Sequence, residues 1–150
     1  MNRVENAVKM FKSGYNCTQG VVCAYCDIFG VDEEIAARMA EGFGGGMGRM
    51  RLTCGAVSGM VMLAGMKKSK GTKSNIQSRT ELYELVRAMA GEFKEKNGSI
   101  ICGELLGLSK PKDESAKPEE RTEDYYKRRP CIGCVEDCAR IVEEYLLNDE

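Results

Sequence analysis

Thiols are the chemistry this sequence has to offer: it holds eight cysteines and not one histidine. Without histidine, neither a Ser-His or Cys-His nucleophile nor a mixed Cys/His zinc site can be built. Any thiolate must then be stabilised by arginine, lysine, a helix terminus or a metal. Cysteine-dense exported chains use disulfide frameworks, whereas in a reducing compartment the same density points to metal binding or redox chemistry. The opening MNRVENAVKMFKSG carries no secretory apolar region, so the expectation is a cytoplasmic chain with reduced thiols.

Beside one of these cysteines the backbone is made unusually permissive. The stretch from Gly42 to Gly59, GFGGGMGRMRLTCGAVSG, gathers seven glycines, Arg49, Arg51 and Cys54. It contains neither a G-x-x-x-x-G-K-[ST] phosphate loop nor G-x-G-x-x-G, and a helix pattern rather than a strand leads into it, which argues against a nucleotide site. Two readings remain: a long turn between helices, or glycines (Gly44, Gly45 and Gly46 foremost) that bring backbone close to a bound group, with Arg49 and Arg51 adding positive charge beside Cys54.

The elements that must position these residues read as helices. Val4, Ala7, Val8 and Phe11 form one apolar stripe. Asn16 is placed to cap a helix through Phe29, and Asp32 one over EEIAARMAE. Thr53 would cap an apolar helix from Cys54 to about Met66; a long helix should run from about Ile76 to Asn97, with Gly98 beyond its end. Ser99 would cap a short helix over IICGELL, and Pro130 would start the last one. Residues 108–130 between them are polar and charged, an excursion over the surface with one helical turn near Glu119 to Tyr126. No alternating strand pattern is present. The expected fold is all-α, one compact bundle of about six helices in a single domain.

On this map Cys17, Cys54, Cys102 and Cys131 each fall in the first turn of a helix, where unpaired N-H groups and the positive end of the macrodipole favour a thiolate. Cys23, Cys26, Cys134 and Cys138 fall in helix interiors and read first as small core residues, although Cys131, Cys134 and Cys138 share one helix face. The nine methionines likewise read as adaptable core before soft metal ligands. Four N-terminal thiols converging would suit an anionic iron-sulfur cluster. Balanced charge, 22 Lys and Arg against 23 Asp and Glu, gives no global field to recruit nucleic acid or an anionic membrane, and the longest apolar run is too short to span a bilayer.

Taken together, GYNC (14–17), FGGGMGRM, CGAVSG (54–59), ICGELLG (101–107) and RPC (129–131) resemble the small helical C_GCAxxG_C_C family over nearly the whole chain. The resemblance implies electron-transfer or thiol redox chemistry, with a redox partner protein and an iron-sulfur centre on Cys17, Cys54, Cys102 and Cys131. The central motif of that family is spelt G-C-A, where this chain reads C-G-A. Two other functions stay open: a thiol-disulfide oxidoreductase in which Cys54, activated by Arg49 or Arg51, attacks and another of the four resolves, and a structural four-cysteine zinc domain.

Overall fold

The computed structural model describes residues 2–107 and 115–148. The start of the expected surface excursion, 108–114, lies outside the described residues. Among the described residues eight α-helices follow one another: α1 (Arg3–Lys12), α2 (Cys17–Cys23), α3 (Glu33–Glu41), α4 (Gly55–Lys68), α5 (Ile76–Asn97), α6 (Cys102–Leu105), α7 (Glu123–Arg128) and α8 (Cys131–Val142), the last continuing as a π turn over Glu143–Leu147. No sheet forms among the described residues, so the chain is all-α, and six of these helices have seven residues or more. None of its described helices is long and apolar enough to cross a membrane.

Caps fix most of the ends. Asn16 accepts from the Gln19 amide while the Gln19 side chain accepts from the Asn16 amide, closing a capping box, and Asn75 and Ser78 do the same for α5. Gly98, at φ 87°, closes α5 where the sequence places it. Several expected boundaries are corrected. The second helix stops at Cys23 and continues as a 3₁₀ turn over Cys26–Phe29, so Cys26 is not in a helix interior. Cys54 rather than Thr53 is the N-cap of α4, because Thr53 pairs across an isolated antiparallel bridge with Ile101. Ile101 rather than Ser99 caps α6; the Ser99 hydroxyl accepts from the Ile101 amide and donates to Glu104. The helical turn near Glu119 to Tyr126 is realised later, as α7 with Thr122 as its cap.

Helix α2 sits at the centre, packed against α1, α3, α4 and α8. Small residues let it approach its neighbours: a Cβ on Gly59 of α4 would stand 2.9 Å from the Thr18 carbonyl oxygen. Around it Phe11, Tyr25, Met60, Leu63, Met89, Phe93, Val135 and Ile141 are fully enclosed. At about 1.5–3 kcal/mol for each large apolar side chain taken from water, this core is what holds the helix starts in place. A smaller cluster of Val22, Cys23, Cys26, Ala36 and Ala40 fixes α3 against α2.

Candidate functional site

Four helix starts meet at one cavity. Cys17, Cys102 and Cys131 are the first residues of α2, α6 and α8, and Cys54 is the N-cap of α4. The bridge between Thr53 and Ile101 explains how two of them come together. Cys54 N-H donates to the Ile100 carbonyl at 2.7 Å and Cys102 N-H to the Leu52 carbonyl at 2.5 Å. Side chains alternate along paired extended segments, so Cys54 and Cys102 project to the face opposite Thr53 and Ile101. All four thiols line a cavity of about 60 Å³, together with Gly45, Arg51, Leu105, Tyr125 and Cys134. All eight cysteines are free thiols.

The glycine stretch forms the lid of this cavity by an unusual route. Gly45, Gly46, Met47, Gly48 and Arg49 all have left-handed φ, between 57° and 74°, and Arg51 joins them at 61°. Left-handed residues normally occur singly, and each non-glycine one costs about 1–2 kcal/mol. The run is held by its own wide turns: Gly48 N-H donates to the Gly42 carbonyl at 2.8 Å, Arg51 to Gly45 at 3.1 Å and Leu52 to Gly46 at 2.9 Å. Its packing is close. A Cβ on Gly46 would lie 2.7 Å from the Cys102 Cβ, and one on Gly44 would lie 2.5 Å from the Asn16 Nδ2. Gly45 lines the cavity beside Cys17, and its backbone draws the Cys17 thiol downward.

The two arginines separate. Arg51 is buried, and its guanidinium donates to the Cys102 sulfur at 3.6 Å. Arg49 instead reaches the carbonyls of Ser115, at 2.6 Å, and Lys117. Of the two arginines that the sequence sets beside Cys54, Arg51 bonds Cys102 and lines the same cavity as Cys54, whereas Arg49 is not among that cavity's walls.

Burial outweighs the helix ends in setting the protonation of these thiols. Desolvation, then the neighbouring Cys54, pushes Cys17 up from the usual thiol range against the pull of the Gly45 and Thr18 backbone groups. Burial raises Cys102 although Arg51 opposes it. Cys131 is pushed up to about 12 by burial and by the other three cysteines. Cys54 is raised too: its neighbour Cys134 comes first and burial second, against the α4 amides of Ala56 and Val57. Four thiols crowded together out of water keep their protons unless a cation joins them.

Cys134 was not singled out by the sequence reading and belongs to this site. It lines the cavity with Cys54 and comes first among the influences that raise the Cys54 thiol. The available signal was its i, i+3 spacing from Cys131, which turns both toward one side of α8. Cys138 lies deeper in the core, and Cys23 and Cys26 belong to the separate cluster under α3. Among the described residues no three His, Cys, Asp or Glu side chains are gathered to hold a single metal ion.

A family model described as "Putative redox-active protein (C_GCAxxG_C_C)" matches residues 15–145. The chain belongs to the C_GCAxxG_C_C family. No curated protein and no solved structure matches it. A Cβ on Gly55 would lie 2.4 Å from the Cys17 sulfur and 2.5 Å from the Thr18 hydroxyl, so position 55 has no room for a side chain, and the thiol comes from the N-cap.

Proposed function

We propose that this protein is an electron carrier that holds an iron-sulfur cluster on Cys17, Cys54, Cys102 and Cys131 and exchanges electrons with a redox partner protein. The observation that carries the reading is the meeting of four thiols, each from a different helix start, at one cavity. The donor set fits. It is all thiolate-forming sulfur, the ligand class of such clusters, and the cavity between them has room for a group larger than one ion. Bound there, a cluster supplies one-electron transfer and the positive charge that the crowded thiols otherwise lack.

The chain's own residues would do the rest. Four separate helices give up one thiol each, so ligation would tie α2, α4, α6 and α8 together. The Arg51 guanidinium bonded to Cys102, with the Gly45 backbone beside Cys17, withdraws charge from the sulfurs and so favours the reduced state. Leu105, Tyr125 and the glycine lid limit access of water. Reduced, ligating thiols fit a cytoplasmic setting.

One observation favours a second reading, a thiol-disulfide oxidoreductase: the free thiols of Cys54 and Cys134 line the same cavity, and Cys134 comes first among the influences that raise Cys54. A structural zinc site is the least supported, since such sites usually take ligands paired closely in sequence whereas these four are far apart. Anaerobic purification followed by an absorption spectrum and assays of iron, zinc and acid-labile sulfide tests the proposal. Iron and sulfide in comparable amounts support it; a metal-free chain with a Cys54-Cys134 disulfide supports the second reading.

A further inference from the structure

One buried polar atom is left over from the fold. Thr18 is fully buried, and among the described residues its hydroxyl oxygen is the one enclosed side-chain oxygen or nitrogen without a hydrogen-bond partner. Taking a hydroxyl out of water unpaired is costly, so buried hydroxyls are paired almost without exception and an unpaired one calls for a reason. Helix α2 itself does not supply the partner. A threonine inside a helix commonly donates to the carbonyl four positions earlier. Thr18 is the second residue of α2, and the position four back is Gly14, which lies outside the helix, before its cap Asn16. Valine has the same branched shape and would fill the place with no polar atom to satisfy, so the hydroxyl is there for a partner that the fold alone does not provide.

What stands beside it is the Cys17 sulfur. A Cβ on Gly55 would lie 2.4 Å from that sulfur and 2.5 Å from the Thr18 oxygen, so both atoms crowd one point where α2 meets the start of α4. A neutral thiol is a weak acceptor, whereas an ionised one is a strong acceptor. Burial comes first in holding the Cys17 thiol up, and the Thr18 side chain is among the groups that draw it the other way. A hydroxyl proton rotates to suit its acceptor, so it can turn to the sulfur once charge is placed there.

We infer that the Thr18 hydroxyl is the hydrogen-bond donor to the Cys17 sulfur in its ligating, thiolate state, and so stabilises the reduced form of the bound centre. This rests on the cluster reading and adds to it a tuning residue that no cysteine motif marks. A donor to a ligating sulfur offsets the negative charge that an added electron brings, which holds the potential up. With Arg51 at Cys102, two of the four ligands then carry a side-chain donor.

Thr18→Val, which keeps the shape and removes the hydroxyl, and Thr18→Ser, which keeps the hydroxyl, test this in two states of the full chain. In urea denaturation of the metal-free, reduced chain, Thr18→Val should be at least as stable as wild type, because only an unpaired hydroxyl is lost. After anaerobic loading with iron and sulfide, redox titration followed in the visible spectrum should show the reduced state of Thr18→Val disfavoured about tenfold, a potential about 59 mV lower for a one-electron couple, with Thr18→Ser close to wild type. A Thr18→Val chain destabilised without metal would show that the hydroxyl already has a structural partner, and would overturn the inference. So would a potential equal to that of wild type, or one lowered as much by Thr18→Ser as by Thr18→Val. A wild-type chain that builds no cluster would overturn the cluster reading and this one together, whereas a loaded wild type with an unchanged potential in Thr18→Val overturns this one alone.

Discussion

Replacing Gly46 by alanine separates the two demands that the lid makes on its backbone. Gly46 has φ 74°, and an added Cβ would meet the Leu52 nitrogen at 2.6 Å, the Arg51 Cα at 2.7 Å and the Cys102 Cβ at 2.7 Å. The left-handed conformation costs an alanine about 1–2 kcal/mol. The overlaps are with backbone atoms and a Cβ, none of which can swing away, so they add roughly 1–3 kcal/mol of overpacking. The total is about 2–5 kcal/mol, or a fall in Tm of several degrees to well above ten for a chain of this size, at about 2–4 °C per kcal/mol. Gly48→Ala is the control: its φ is 57°, but nothing lies within 4 Å of the added Cβ, so it should cost only the conformational part. Thermal and urea denaturation of the two variants beside wild type measure the difference. Equal losses in both would refute the packing of the lid on Cys102, and no loss in Gly46→Ala would refute the left-handed lid itself.

Three further outcomes are expected. Gly55→Ala should displace the Cys17 sulfur, which lies 2.4 Å from the added Cβ, so metal content should fall by more than stability does, since alanine gains up to about 1 kcal/mol of helix propensity; metal assay beside denaturation checks this, and unchanged metal content would contradict it. Cys134→Ala should alter the visible spectrum of the iron-loaded protein, while Cys23→Ala, Cys26→Ala and Cys138→Ala should cost stability and leave the spectrum as it was; the same spectrum in all four would return Cys134 to the core. Burial, then Cys26, pushes Cys23 up to about 12 from an ordinary value of 9.0, so the native chain keeps a proton that the unfolded chain releases. The stability this brings is complete below pH 9 and is lost as pH rises toward 12. In urea denaturation of the metal-free chain, the advantage of wild type over Cys23→Ala should therefore shrink between pH 8.5 and 10.5 (about the lower half of that window), and a constant difference would show that the thiol is not desolvated.

The helices were legible where local chemistry decides them. Asn75 and Gly98 bracket α5, and Asp32 starts α3, because a capping side chain or a left-handed glycine acts within one turn. Boundaries set by distant partners were not legible. Thr53 has the right side chain for a cap, but its pairing with Ile101, 48 positions away in the chain, moves the start of α4 to Gly55. Ile28 and Phe29 continue an apolar pattern beyond Cys23, yet the chain turns there and leaves Ile28 exposed.

At the site, the positions of Cys17 and Cys131 at helix starts could be read from Asn16 and Pro130, while Cys102 was placed in a first turn by a Ser99 cap that the structure moves to Ile101. The lid could not. A run of glycines announces freedom, not which hand the backbone takes, and the left-handed path through Met47, Arg49 and Arg51 is what sends Arg51 to Cys102 and Arg49 to the carbonyls of Ser115 and Lys117. The elevated thiols follow from the same cause. Helix ends favour thiolates, but the sequence carries no measure of how deeply four sulfurs are buried together.

Anaerobic reconstitution of the reduced chain with iron and sulfide tests the central claim most directly. A chromophore with iron and sulfide bound in comparable amounts is expected, lowered in each of Cys17→Ser, Cys54→Ser, Cys102→Ser and Cys131→Ser. A chain that forms no chromophore, or one whose chromophore survives all four substitutions, would contradict it.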